Sequence, residues 1–352
     1  MQPNYTILLS STIFQKLKTY QQALLKNSQS MGNYLYQALK QETLSNVSPN
    51  AFLEKLLNTK LPQIFAESHI KGNGSDWNLT ELSILGDISI AVPVTIFDNG
   101  AHRHPLIHQQ AFEGTLVFTA GALLRNDSGY TPADWEEVTQ NKQFYYQGYY
   151  QLYERRLMPV FDYINQQSTK KAAVISIPGL GCGMFAVPFK GMLGAYLERA
   201  LCDLLKQHGD RWSNIRAVYY DPYNECSNQR HCFHNIDLLV RPLTAGNTGK
   251  SQLSTLSQLE DQPNEFDHCQ LFSIVAWDHV SWPGNDFYVG SRATDDGVKA
   301  AATSSMYGMT GIEGAYDTKL CQYQPPAPFK TWNEVIIQND LSIKVADNLF
   351  IS

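Results

Sequence analysis

Apolar side chains recur at helical spacing through the first part of the chain. Phe14, Leu17, Tyr20, Leu24 and Leu25 form one such stripe, and Met31, Leu35, Ala38 and Leu39 a second. Ser48-Pro49 opens a third helix with Ser at the N-cap and Pro at the first helical position; Phe52, Leu53, Leu56 and Leu57 give its apolar face, and Leu61-Pro62 ends it. Residues 1–75 therefore read as an N-terminal helical region. Polar residues 67–79 read as a loop and a subdomain boundary. Beyond residue 80 the pattern changes. Residues 88–92, 115–119, 174–177, 215–220, 238–240 and 271–277 are short apolar runs of strand type. Helical stripes lie between them at 143–166 and 191–208, and a further helix is expected near 298–309. A last strand is expected at 334–337, and residues 349–352 read as a frayed end or part of a C-terminal translocation signal. Strands alternating with helices predict a parallel or mixed sheet covered on both faces, over residues 80–352.

The remaining stretches are polar. Residues 244–262, rich in Ser, Gln, Gly and Thr, read as a long mobile excursion. Hydrophobic residues make up 43% of the 352 and charged residues 17%, which excludes a disordered chain. A net charge of −6 argues against binding a nucleic-acid backbone. No apolar run approaches the roughly 20 residues that span a bilayer, and the N-terminus carries no basic leader with a long apolar block. The expectation is a cytosolic-type fold without stable membrane insertion. Six cysteines, none in a CxxC pair, suit a reducing compartment. Cys226, His231, Cys232 and His234 match no familiar zinc spacing, and His102, His104 and His108 flank turn residues; no metal site is expected.

Two segments carry chemistry. The first is the Gly-rich turn Gly179-Leu180-Gly181-Cys182-Gly183-Met184-Phe185 between a strand and a helix. Glycines there let backbone N–H groups approach phosphate oxygens, and the helix beyond adds a favourable dipole. It fits G-x-G-x-x-[GA], but the next strand ends in an acid only at Asp221, too late for a nicotinamide site, so a diphosphate loop is the better reading. The second is the stretch from Asp278 to Gly297. It holds Asp278, Asp286, Asp295 and Asp296 among Gly, Pro, Asn, Ser and bulky aromatics, after the apolar run 271–277. Carboxylates close together shift one another's pKa and can divide acid and base roles; a turn-rich surface loop is the plainer alternative.

The order strand, G-x-G-x-[FY]-[GA], Pro, helix resembles the diphosphate loop of macrodomains, the ADP-ribose-binding three-layer α/β/α folds. Residues 149–178 resemble the helix and strand leading into that loop, and Glu113 to Gly121 an earlier strand. The counterpart of the family's catalytic segment follows the diphosphate loop here instead of preceding it, which implies a mixed sheet of altered, for instance circularly permuted, strand order. Asp278 stands where the usual Asn would be, and Ser291 to Gly297 replaces a GGG run. The spacing of Asp278, Asp286 and Asp296 is closer to the atypical MavL-like macrodomain ADP-ribosylhydrolases among effectors of Legionella-type intracellular bacteria. The helical first 75 residues are also similar to the accessory helices of poly(ADP-ribose) glycohydrolases.

That resemblance covers roughly residues 80–320. It implies a bacterial effector secreted into the host cytoplasm that removes ADP-ribose from protein side chains, arginine-linked for this group, with no cofactor. Asp278, Asp286 and Asp296 would be catalytic; Gly179, Gly181, Cys182, Gly183, Met184, Phe185, Asn285 and Asp295 would bind the ligand. Asp286 and Asp296 would serve ribose and water, with Asp278 taking the leaving guanidinium or fixing the loop, and Asp295 able to stand in for Asp296. Two alternatives stay open: a non-catalytic ADP-ribose-binding module, and a metal-dependent hydrolase using the same aspartates for Mg²⁺.

Overall fold

The computed structural model of the protein describes residues 2–352. Nine strands form one mixed sheet. In chain order they are β1 (Thr6–Leu9), β2 (Ser89–Asp98), β3 (Ile107–Ala120), β4 (Ala173–Pro178), β5 (Ile215–Asp221), β6 (Gln229–Phe233), β7 (Ile236–Val240), β8 (Gln270–Trp277) and β9 (Leu349–Ile351). Their spatial order is β9-β1-β2-β3-β8-β4-β5-β7-β6. Strands β3, β8, β4, β5 and β7 run parallel, while β2 and β6 pair antiparallel with their neighbours. The late strand β8 is inserted between β3 and β4, so the segments following β3, β8 and β4 leave one sheet edge side by side.

The longer helices are α1 (Ser11–Leu25), α2 (Asn33–Leu39), α3 (Pro49–Leu57), α4 (Leu79–Gly86), α5 (Tyr146–Gln167), α6 (Leu193–His208), α7 (Asp295–Ala302), α8 (Ser305–Thr310) and α9 (Trp332–Gln338). Alternating strand residues feed two cores. Ile175, Val218, Leu238 and Ile274 pack with Tyr149, Tyr153, Val160, Leu197 and Leu201 of α5 and α6. Val174, Ala217, Leu239 and Val275 face the other way, into a core shared with Leu17, Phe52, Leu56, Leu85, Ala301 and Met306. Helices thus cover both faces, giving three α/β/α layers. The helices of residues 1–75 share the second core with the sheet and α7.

Several expectations are corrected. Residues 1–75 are not wholly helical: Ile7, Leu8 and Leu9 alternate between the two cores, and β1 joins the main sheet. Residues 334–337 are helical, because Trp332, Val335 and Ile336 bury at helical spacing and Thr331 caps the helix by accepting from Glu334 N. Leu349–Ile351 is a strand pairing parallel with β1, not a frayed end. The helix near 298–309 is two helices, interrupted at Thr303. Residues 244–262 are packed down through buried Ser251, Leu253, Ser254 and Leu259, and Gln229–Phe233 within the Cys/His-rich stretch is an edge strand.

Candidate active site

Strand β8 ends at Trp277, and Asp278 immediately turns the chain. One of its oxygens accepts from the amides of Val280 and Ser281, both at 2.7 Å; the other accepts from Ser281 Oγ at 2.7 Å and Asn285 Nδ2 at 3.2 Å. Gly284 and Gly290, at φ 111° and 83°, bracket a short 3-10 helix, Asn285–Val289. Asp286, within it, accepts from Ala293 N at 2.7 Å and from the Thr294 hydroxyl and amide. These bonds fold residues 278–294 into a closed loop. Asp278, Asp286 and Asp296 are all buried.

Thr294 then caps α7, accepting from Gly297 N at 3.1 Å. A Cβ on Gly297 would lie 2.0 Å from Asp286 Oδ1, so only glycine lets the helix start against that carboxylate. Asp296 Oδ1 lies 2.6 Å from Thr294 Oγ1, while Asp296 Oδ2 is buried with no hydrogen-bond partner. Burial, then the nearby negative charge of Asp278, drives the Asp296 carboxyl well above the usual carboxylate range; the Thr294 contact opposes this, and Asp286 and Asp295 add to it. Asp295 diverges: it accepts from Ala276 N at 2.8 Å and pairs at 3.0 Å with Lys299, which is buried. Arg292 holds the loop from the far side through paired contacts to buried Asp98, the nearest at 2.8 Å.

The N-terminal region closes this loop from behind. Leu61 pairs with the loop as a short parallel bridge: its amide donates to Val280 O at 2.9 Å and its carbonyl accepts from Trp282 N at 2.8 Å. Ile64 N donates to Asn285 Oδ1 at 3.0 Å. Lys60 is buried; its Nζ donates to His279 O at 2.5 Å and sits 4.0 Å over the Trp277 ring. Burial pushes this ammonium down to about 7, Asp278 partly opposing. A cavity of about 420 Å³ adjoins the bridge, taking Leu61 and Ile64 in its wall together with Tyr34, Phe65, Asp76 and Trp77, apart from Asp278, Asp286 and Asp296.

The Gly-rich turn leaves the neighbouring strand, β4. Gly181, at φ 70°, passes so near the chain after β3 that a Cβ on Gly121 would lie 2.2 Å from Gly181 N. Tyr153 welds the two, accepting from Ala122 N at 3.0 Å and donating to Leu180 O at 2.5 Å. The amides of Gly183, Met184 and Phe185 meet no acceptor, and a Cβ on Gly183 would face open space. Cys182 directs its thiol inward, where burial raises it well above its ordinary value.

Beneath the site lies an ion network that sequence reasoning missed. Fully buried Arg156 donates to Asp87 at 3.0 Å, to Asp134 at 2.8 Å and to the carbonyls of Ala120 and Gly121. His279 lies 3.1 Å from Asp134, with its Nδ1 buried and unpartnered. Burial alone would raise Asp134; Arg156 and His279 outweigh it and hold the carboxyl well below its usual range. A signal existed: Arg156 falls on the apolar stripe Tyr149, Leu152, Tyr153, Leu157, Val160, where a charge must find partners.

The structure thus joins Asp286 and Asp296 through Thr294 and ties Asp278 to Asn285. It places the Gly-rich turn at the next strand end and turns Asp295 towards Lys299. Asn285 spends both side-chain ends on Ile64 and Asp278. Among the described residues no three His, Cys, Asp or Glu side chains gather as a metal-ligand set. The family model for the macrodomain effector MavL matches residues 5–329. No curated protein matches the chain.

Proposed function

The chain belongs to the MavL macrodomain effector family, and from that premise we propose that it is an ADP-ribosylhydrolase acting on arginine-linked ADP-ribose. One observation carries the reading. A turn with three unpaired amides and a buried carboxyl with a free oxygen stand on adjacent strand ends, Gly183 to Phe185 after β4 and Asp296 beyond β8. Ligands of open α/β sheets bind at that edge.

The diphosphate rests on the Gly179–Phe185 turn, held by backbone N–H groups. Cys182 contributes only its backbone, since its thiol points into the core. The distal ribose reaches the acidic loop. Breaking the bond between C1″ and the guanidine nitrogen builds positive charge on the sugar, as in glycoside hydrolysis, and buried carboxyl groups stabilise it. The departing nitrogen keeps the bonding pair. Water adds its oxygen to C1″ and loses a proton to Asp286 or Asp296; that proton finally returns to the guanidine, so charge is conserved. Asp278 fixes the loop, because both its oxygens are occupied by loop donors. Guanidinium pairs well with carboxylates, which suits an acidic site. As a member of an effector family the chain would meet its modified protein inside a host cell. No described helix is long and apolar enough to cross a membrane.

The test is release of ADP-ribose from arginine-ADP-ribosylated protein, with and without EDTA, by the parent, Asp286→Ala and Asp296→Ala. Release that ignores EDTA and is lost in both variants, with ADP-ribose still bound, is expected. Variants as fast as the parent sink the assignment. Binding without release by the parent makes the chain a reader, and loss of activity in EDTA makes it a metal enzyme.

A further inference from the structure

Thr294 Oγ1 lies within hydrogen-bond distance of Asp286 Oδ1, of Asp296 Oδ1 at 2.6 Å and of Gly297 N at 3.1 Å. The amide must donate to the hydroxyl oxygen. The hydroxyl has one hydrogen, and two carboxyl oxygens confront it. If both carboxyls were ionised, one close oxygen pair would hold no hydrogen and two buried negative charges would stand across it. A second proton is needed, and the surroundings say where it resides. Asp286 is ringed by donors: Ala293 N at 2.7 Å, Thr294 N and the hydroxyl. Asp296 has only the Gly297 amide besides Thr294, and its Oδ2 has nothing.

We propose that Thr294 is a proton relay between two carboxyls that share one resident proton, in the order Asp296 Oδ1–H, Thr294 Oγ1–H, Asp286 carboxylate. This rests on the hydrolase reading only for its use, since the hydrogen-bond count holds without ligand. In the transfer, the Asp296 O–H bond breaks as its proton passes to Thr294 Oγ1. The hydroxyl's own hydrogen passes to Asp286 Oδ1. One proton has then moved, Thr294 is again a neutral hydroxyl, and the negative charge has gone from Asp286 to Asp296. The pair can therefore present the free Asp296 Oδ2 either as the carbonyl oxygen of a neutral acid or as part of a carboxylate base, without exchanging a proton with bulk water. The groups facing Asp296 agree with a neutral resident form. Asp278 and Asp286 come from the loop, Asp295 and Lys299 from its own helix, and the buried Tyr288 hydroxyl from the 3-10 helix. The one cation among them, Lys299, is committed to Asp295, Gln252 and Ile274 O. Thr294 is thus a positioning residue that acts through the two aspartates.

The experiment is infrared spectroscopy of the ligand-free full chain at pH 7, reading the C=O band of protonated carboxyl groups, beside the ADP-ribose release assay. The band is expected in the parent and in Asp286→Asn and absent in Asp296→Asn. Thr294→Val, which removes the hydroxyl, should move it to higher frequency because the acid loses its acceptor, and Thr294→Ser should restore it. Asn caps helices as well as Thr but has no hydroxyl. Thr294→Asn therefore keeps the test open where the Val variant does not fold; it should leave the band but cut release about tenfold or more, with ADP-ribose affinity unchanged. A parent without the band, a band surviving Asp296→Asn, or full release by Thr294→Asn overturns the relay. Release without the band removes the relay alone; the band without release removes the hydrolase reading alone.

Discussion

Lys60→Met tests how the N-terminal region holds the acidic loop. The ammonium is fully enclosed, with one hydrogen-bond acceptor, His279 O at 2.5 Å, and the Trp277 ring at 4.0 Å. Burial lowers it from 10.5 to about 7. The difference, roughly 3.5 units, amounts to about 5 kcal/mol against the charged form in the fold. Met fills similar space without a charge, so the variant should be the more stable of the two at pH 7, by up to about 4 kcal/mol. The pH dependence should change greatly. Between about 7 and 10.5 the unfolded chain keeps the Lys60 proton that the folded chain has released, so wild-type stability rises with pH through this window. Its contribution is complete above the unfolded value and lost as pH falls through about 7. The assay is urea unfolding of both proteins from pH 7.5 to 9.5, read as the difference between them so that every other titrating group cancels. Wild type should gain about 2–3 kcal/mol on the variant across that range, close to one proton's worth per pH unit. Parallel curves would refute the buried ammonium.

Two further substitutions probe the scaffold. Gly121→Ala drives a methyl group to 2.2 Å from Gly181 N; both loops must shift, so calorimetry should show weaker ADP-ribose binding and thermal unfolding a loss of about 1–3 kcal/mol, and unchanged values would contradict the backbone contact. Asp134→Asn leaves Arg156 with half its charge partners and should cost about 3–5 kcal/mol at pH 7. Because the Asp134 carboxyl is held below 3.8, that advantage is present above 3.8 and fades as pH falls through the native value; acid titrations of the two proteins should therefore converge at low pH.

Much of the sheet was legible because buried parallel strands are continuous apolar runs: residues 174–177, 215–220 and 271–277 all lie in strands. The failures share a physical cause. Residues 6–9 and 349–351 are short and far apart in the chain; the first is a strand because it lies beside β2, and the second because it lies beside the first. Residues 334–337 look like a strand by composition, yet the burial of Trp332, Val335 and Ile336 at helical spacing decides the matter. At the site, Asp286 and Asp296 stood out as carboxylates in a stretch read as irregular, whereas the fold puts Asp286 in a 3-10 helix and Asp296 in the first turn of α7. Thr294 was not singled out in the sequence, because its contacts with the two carboxyls depend on which oxygens the fold brings to it. Asp295 and Asp296 are neighbours that local sequence cannot rank, and the helix separates them by aiming one at Lys299 and the other at Thr294.

The segment at residues 60–64 changes how the two halves of the chain relate. A helical region preceding a macrodomain-like sheet reads naturally as an appendage, yet here its chain supplies backbone to the acidic loop at Leu61 and Ile64 and a buried cation at Lys60. A closed loop needs donors and acceptors from outside itself to stay in one shape. Asn285 shows the coupling within one side chain: its oxygen takes the Ile64 amide while its nitrogen binds Asp278. Releasing residues 60–64 would take from Asn285 the amide that orients its side chain, and with it one of the donors that hold Asp278. The acidic loop and the N-terminal region are therefore one mechanical unit, and a chain begun at residue 80 should lose the order of that loop even where the sheet still forms.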